Sequence, residues 1–265
     1  MKKIIILLLF FISTTQPTTW KYGDIHIIGD SHSIYSFTNL YTQGIPGISE
    51  SQMSTCEVST FDYSGPEEVL SIPFQIHWIS RTMHMIGKLG LEQVDFRNYN
   101  MKNGDFGVLI FGGIDAYHGS IIKQYVLGRE LDEIIEKLAK KYIKTALLNK
   151  NLYNKLDVII MGVIPPIILG HNKHAYQQRD PDLPFEKFIV VTNRKLNEAL
   201  AYHCKINNLM FLDVTSSFED KNGLLPYQLS AGDHHIKPAY NYIIKQKLID
   251  IILDNIQNEA NHALR

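Results

Sequence analysis

Ile25-His26-Ile27-Ile28-Gly29-Asp30-Ser31-His32-Ser33 is the stretch on which the fold turns. A short apolar run ends in a glycine, an acid and a serine, which reads as a buried strand handing a hydroxyl to a tight turn. Three further runs have the same near-continuous apolar character: Val108 to Phe111, Val158 to Ile164 and Met210 to Asp213. Strands covered on both faces carry such runs, as in parallel sheets. Helical patterns lie between them. In the clearest, from Glu130 to Asn149, Leu131, Ile134, Ile135, Leu138, Tyr142 and Ala146 recur at three- and four-residue steps. Its acids gather at the start and its lysines toward the end, as the helix dipole favours. Further helices are expected over Phe185 to Asn207 and Pro238 to Asn255, the latter with proline in its first turn. Strands alternating with helices imply right-handed crossovers, hence an α/β protein: a three-layer α/β/α sandwich with a parallel sheet.

The composition fits one domain. The chain has 265 residues, 45% hydrophobic and 20% charged, with a net charge of −1. This excludes disordered, collagen-like and coiled-coil chains. The even charge balance argues against a nucleic-acid partner, which would want a basic excess. Two cysteines exclude a disulfide scaffold or a cysteine-rich zinc module. At the N-terminus, Lys2 and Lys3 precede the apolar run Ile4 to Ile12 and a polar exit at Ser13 to Pro17. That run is too short for a stable membrane span, which needs about 20 residues. Residues 1–19 are expected to be a signal peptide and 20–265 a single domain, so the protein is expected to be exported (secreted or periplasmic). A buried N-terminal strand in a cytoplasmic protein is the alternative. In an exported protein Cys56 and Cys204 could pair; Cys204 sits in a helical pattern, where a buried thiol fits equally well.

Ligands of doubly wound sheets bind beyond the carboxyl ends of the strands. There the first strand offers Ser31, and the second offers Gly112-Gly113-Ile114-Asp115-Ala116-Tyr117-His118. The third ends in Pro165-Pro166, and a loop after the fourth carries Gly232-Asp233-His234-His235. A serine is a poor nucleophile until a base takes its proton, and a carboxylate can orient the imidazole that does so. Ser31, His235 and Asp233 are the candidates, with His234 as an alternative base. Each has a structural reading too: Ser31 as a helix cap, Asp233 as a loop cap, the histidines as a packed pair. Asp30 is expected to tie down the turn. His171 and His174 lie in a polar loop, 170–181, that could cover the site. No metal-ligand spacing is evident among the 11 histidines, and the side chains of adjacent His234 and His235 are expected to diverge. Neither a metal nor another cofactor is expected. His77-Trp78 reads as packing rather than a stacking platform for bases.

Gly29-Asp30-Ser31 after the first strand, the Gly-x-x-Asp block Gly112 to Asp115, and the Asp/His loop before the last helix together resemble the SGNH, or GDSL-type, hydrolase superfamily. The similarity spans about residues 24–245 and is closest to a branch with a Gly-x-Ile-Asp third block and a Pro-Pro after the third strand. It implies a flavodoxin-like sandwich and serine-dependent ester hydrolysis, with an acyl group on a small molecule or glycan as substrate. Ser31 matches the nucleophile and His235 the base, while Gly112, Asp115 and Tyr117 would serve the oxyanion or substrate; Asp115 reads equally well as a satisfied carboxylate at a strand end that holds the floor of the site. Three departures stand out. The family acid lies three residues before the base, where this chain has Gly232, and Asp233 is only two before it. Ile114 replaces an oxyanion asparagine, whose loss elsewhere costs about 10²–10³ in rate. The second-block glycine has no evident match, and Ser80 or a nearby amide would have to stand in. Two other readings therefore remain: a non-catalytic glycan-binding or scaffold protein on the same fold, and an acyltransferase using the same dyad.

Overall fold

The computed structural model describes residues 18–37, 57–65, 69–117, 119–168, 179–180 and 182–263. Residues 1–17 of the expected signal peptide lie outside the described residues, as do Cys56, His118, His171 and His174. The strands are β1 (Thr18–Thr19), β2 (Ile25–Gly29), β3 (Glu57–Ser64), β4 (Val69–Trp78), β5 (Phe106–Ile110), β6 (Asp157–Met161) and β7 (Met210–Leu212). The helices are α1 (Ser31–Phe37), α2 (Met83–Leu89), α3 (Gly113–Tyr117), α4 (Ser120–Val126), α5 (Leu131–Lys150), α6 (Phe185–Ile206), α7 (Thr215–Phe218) and α8 (Asn241–Ala263). The strands form a seven-stranded sheet in the order β1-β4-β2-β5-β6-β7, parallel throughout, with β3 antiparallel against β4.

Every residue of β2 and β5 is buried, because the sheet carries a core on each face. On one face Ile28, Leu109 and Ile160 meet α2, α5 and α6 through Ile86, Tyr142 and Leu196. On the other, Ile27, Val108 and Ile159 meet α1 and α8 through Phe37, Ile244 and Leu248. This is the three-layer α/β/α sandwich that the alternating pattern predicts. No described helix is long and apolar enough to cross a membrane.

The β3–β4 hairpin is an element the apolar-run criterion passes over. In β4, Leu70, Ile72, Phe74 and Ile76 are buried while the residues between them are only partly covered. Its hydrophobicity therefore alternates, and Pro73 interrupts it. The structure accommodates Pro73 by starting the parallel β2 ladder at Phe74, one residue later. The third apolar run is also cut short, because β6 stops at Met161. Gly162 to Ile164 continue as buried coil, with the Val163 N–H donating to Asn197 Oδ1 at 2.7 Å and Asn193 Nδ2 donating to the Ile164 carbonyl at 3.0 Å. The last helix begins as a 3-10 turn at Pro238 to Tyr240 and runs on to Ala263, past the expected end at Asn255.

Candidate active site

The nucleophile position is built by the turn after β2. Gly29 is required for its small size: a Cβ there would stand 2.6 Å from the Ile110 carbonyl oxygen and 2.8 Å from Ser33 Cβ. Gly29→Ala is expected to destabilise the fold by about 1–3 kcal/mol or more, as a lowered midpoint in urea would show. Asp30 then locks the turn. Its N–H donates to Ile110 O, its Oδ1 accepts the His32 N–H at 2.9 Å, and its carbonyl accepts the Ser33 hydroxyl at 2.7 Å. Ser31 is thereby set as the first residue of α1, where its own N–H has no partner within the helix.

The loop before α8 brings the base. Ser230 and Ile236 pair across it, and the Lys237 N–H donates to Leu229 O, so the segment folds back on itself. His235 is 6% exposed, with Nε2 at 2.7 Å from Ser31 Oγ and Nδ1 at 2.9 Å from Asp233 Oδ1. With a neutral imidazole, the serine O–H donates to Nε2 and Nδ1–H donates to the carboxylate. The two-residue offset suffices because Asp233 Oδ1 also accepts the His235 backbone N–H at 2.8 Å, which curls the carboxylate around to the ring. Burial alone would push the Asp233 carboxyl up. The hydrogen bonds from the His235 ring and N–H outweigh it and hold the group below the usual carboxylate range. The carboxylate thus stays ionised behind the ring.

Two further imidazoles crowd the base. The His234 ring lies 4.1 Å from that of His235, and His32 lies 4.8 Å from it, centroid to centroid. The expectation that His234 and His235 diverge is thus corrected. His32 is the neighbour that sequence reasoning passes over. It is buried, and Gly113 makes room for its ring, since a Cβ there would come within 2.4 Å of His32 Nε2. One ring nitrogen from each of the three lies within 4.8 Å of the others. Both nitrogens of His235 already face Ser31 and Asp233, so a cation would have to displace one of them. His234 as an alternative base is disfavoured by geometry, because His235 Nε2 holds the place beside Oγ.

The residues expected to meet the substrate are placed differently. Asp115 is 1% exposed, and its carboxylate accepts the Met83 N–H at 2.7 Å, the His84 N–H at 3.3 Å and the Ser120 hydroxyl at 2.7 Å. It fastens the start of α2 to α3 and α4, and so does not line the site. Removing its acceptors in Asp115→Ala would leave the buried Met83 N–H unsatisfied and the part-buried His84 N–H to water, with an expected cost of about 1–3 kcal/mol by chemical unfolding. Tyr117 is likewise committed inward: its hydroxyl donates to the Ile164 carbonyl and accepts from Asn193 Nδ2. Gly112 is buried at φ 119°, wedged between Met83 and Val163, where it bends the chain into α3.

Sheet register shows what does stand beside Ser31. Gly29 pairs with Trp78 on one side and Ile110 on the other, so Ile79 and Ser80 leave the sheet level with the turn, and the Ile79 N–H donates to Gly29 O. Ser80 and Arg81 are exposed there.

No family model matches the chain, and no curated protein does. Solved structures do. A GDSL-like lipase from Bacteroides thetaiotaomicron superposes with a TM-score of 0.52 at 15% identity, covering 88% of both chains. The chain has the GDSL/SGNH-hydrolase fold. A catalytic mutant of an acetylxylan esterase from Geobacillus stearothermophilus gives a TM-score of 0.47 at 17% identity, covering 88% of this chain and 96% of that one. Against the pattern that the sequence resembles, this chain has an acid two residues before the base and Ile114 in the third block.

Proposed function

We propose that the protein is a serine-dependent ester hydrolase. The observation that carries this reading is the continuous pair of contacts from Ser31 Oγ through His235 to Asp233, at 2.7 and 2.9 Å. Both lie within the reach needed for proton transfer in the resting enzyme. In the first step His235 Nε2 takes the serine proton as Oγ attacks the acyl carbonyl. Asp233 steadies the imidazolium that results. The oxyanion is held by the Ser31 N–H, with the Ser80 N–H as the second donor, standing in for the second-block glycine. His235 returns the proton to the departing alcohol. A water molecule, deprotonated by the same ring, then attacks the acyl-enzyme, and the ring's proton passes to Ser31 Oγ as the acid leaves.

The substrate class is an acyl ester of a sugar or glycan. Polar Asp233 and His234 flank the base and exposed Ser80 leaves the sheet level with Ser31, which suits a hydroxyl-rich alcohol. The leader-like run from Lys2 to Pro17 supports an exported enzyme, and acylated extracellular glycans fit that compartment. The test is hydrolysis of p-nitrophenyl acetate, then acetate release from acetylated oligosaccharides, with Ser31→Ala alongside. Acetate release by the wild type alone supports the reading. A folded wild type inert on both would contradict it and favour the glycan-binding alternative.

The buried turn makes a stability prediction. Burial raises the Asp30 carboxyl to about 7, with the nearby Asp115 charge adding to the effect. For an acid whose pKa is higher folded than unfolded, the unfolded state binds fewer protons between the two values. Its contribution is therefore fully present below about 4 and is lost as pH rises through about 7. In Asp30→Asn, whose side-chain oxygen can still accept the His32 N–H, that decline is expected to flatten. Urea midpoints from pH 4 to 8 would show it.

A further inference from the structure

We propose that Asp24, His26 and Asp105 bind a divalent transition-metal ion of the zinc type, clamping the start of β2 to the start of β5. The three side chains bring one donor atom each within 4.8 Å of one another. The site is built rather than incidental. His26 is 4% exposed and Asp105 5%, and His26 Nε2 is buried without a hydrogen-bond partner, 3.4 Å from Asp105 Oδ2. Two donors about 2.0–2.1 Å from a tetrahedral zinc ion stand about 3.4 Å apart, so this pair already has a ligand spacing.

The neighbours orient the donors. His26 Nδ1 lies 3.1 Å from His77 Nε2, so a proton on Nδ1 leaves the Nε2 lone pair facing the carboxylates. A metal-binding histidine is held in this way, its second nitrogen donating to a fixed acceptor. Asp105 is fixed by the Asp24 N–H on Oδ1 at 3.0 Å and the Lys102 N–H on Oδ2 at 2.7 Å, and each oxygen keeps a lone pair. A cavity of ≈ 520 Å³, lined by Asp24, His26, His77 and Lys102 among others, gives an entry path and room for water as a fourth ligand. Lys102 opposes a cation, but it is exposed at the rim and its side chain can turn away. One imidazole with two carboxylates favours zinc-type ions over calcium or magnesium. The site lies at the opposite end of β2 from Ser31, about five residues or ~17 Å of strand away, so its role is structural.

Chelator-treated full-length protein is titrated with Zn²⁺, and thermal unfolding and calorimetry are followed. One equivalent is expected to raise Tm by about 3 °C or more. Asp24→Asn and His26→Gln should each weaken Zn²⁺ at least about tenfold, with Asp24, half-buried at the rim, as the variant that keeps its fold. His234→Ala should retain the shift, separating this site from the three imidazoles near Ser31. The proposal is overturned if Zn²⁺ gives no shift, if Mg²⁺ gives an equal one, if Asp24→Asn leaves it unchanged, or if His234→Ala abolishes it.

Discussion

Ser31→Ala is expected to lower kcat/KM for p-nitrophenyl acetate by at least about 10³-fold while leaving the urea midpoint within about 0.5 kcal/mol of wild type. Removing the hydroxyl deletes the atom that forms the acyl-enzyme. What remains is water attack helped by bound N–H donors, which is why activity need not fall to the background rate. Stability should hardly move. The Asp30 hydrogen bonds shape the turn, and among the described residues the Ser31 side chain adds one hydrogen bond, to His235. A large loss of activity together with a large loss of stability would instead mark Ser31 as a structural cap.

Asp233→Asn is expected to lower kcat/KM by about 10²–10⁴-fold with KM little changed. The substitution keeps shape but changes what faces His235 Nδ1. The carboxylate accepts the Nδ1 proton at 2.9 Å and so leaves Nε2 as the acceptor for the serine. An amide that turns its N–H toward the ring reverses that tautomer and aims Nε2–H at Oγ. The shortened acid–base spacing makes this a sharp test. If Asp233 only capped its loop through the His235 N–H at 2.8 Å, asparagine would do almost as well and activity would survive.

The parts of this molecule legible in the sequence are those carried by local pattern. β2, β5 and β6 announce themselves because strands buried on both faces are apolar at successive positions, and α5 because its apolar residues keep helical spacing. Ser31 and His235 could be singled out because a sheet's chemistry collects at strand ends and both fall there. The β3–β4 hairpin was legible only by alternation, a weaker signal that Pro73 blurs. Asp115 and Tyr117 share the strand-end address of Ser31, yet they turn inward. Their destinations, the amides of Met83 and His84 and the carbonyl of Ile164, come from distant elements that no spacing rule predicts. His32 hides for the same reason, since its partners approach from the far end of the chain. The cluster of Asp24, His26 and Asp105 joins residues up to 81 positions apart and fits no ligand spacing at all.

The account rests on Ser31 being an activated nucleophile, and the most direct measurement is a fluorophosphonate reaction read by intact mass and peptide mapping. Folded wild-type protein is expected to gain one adduct, on Ser31, at a rate that falls at least about 10²-fold in His235→Ala. Folded protein that stays unlabelled, or an adduct on any other residue, would contradict it.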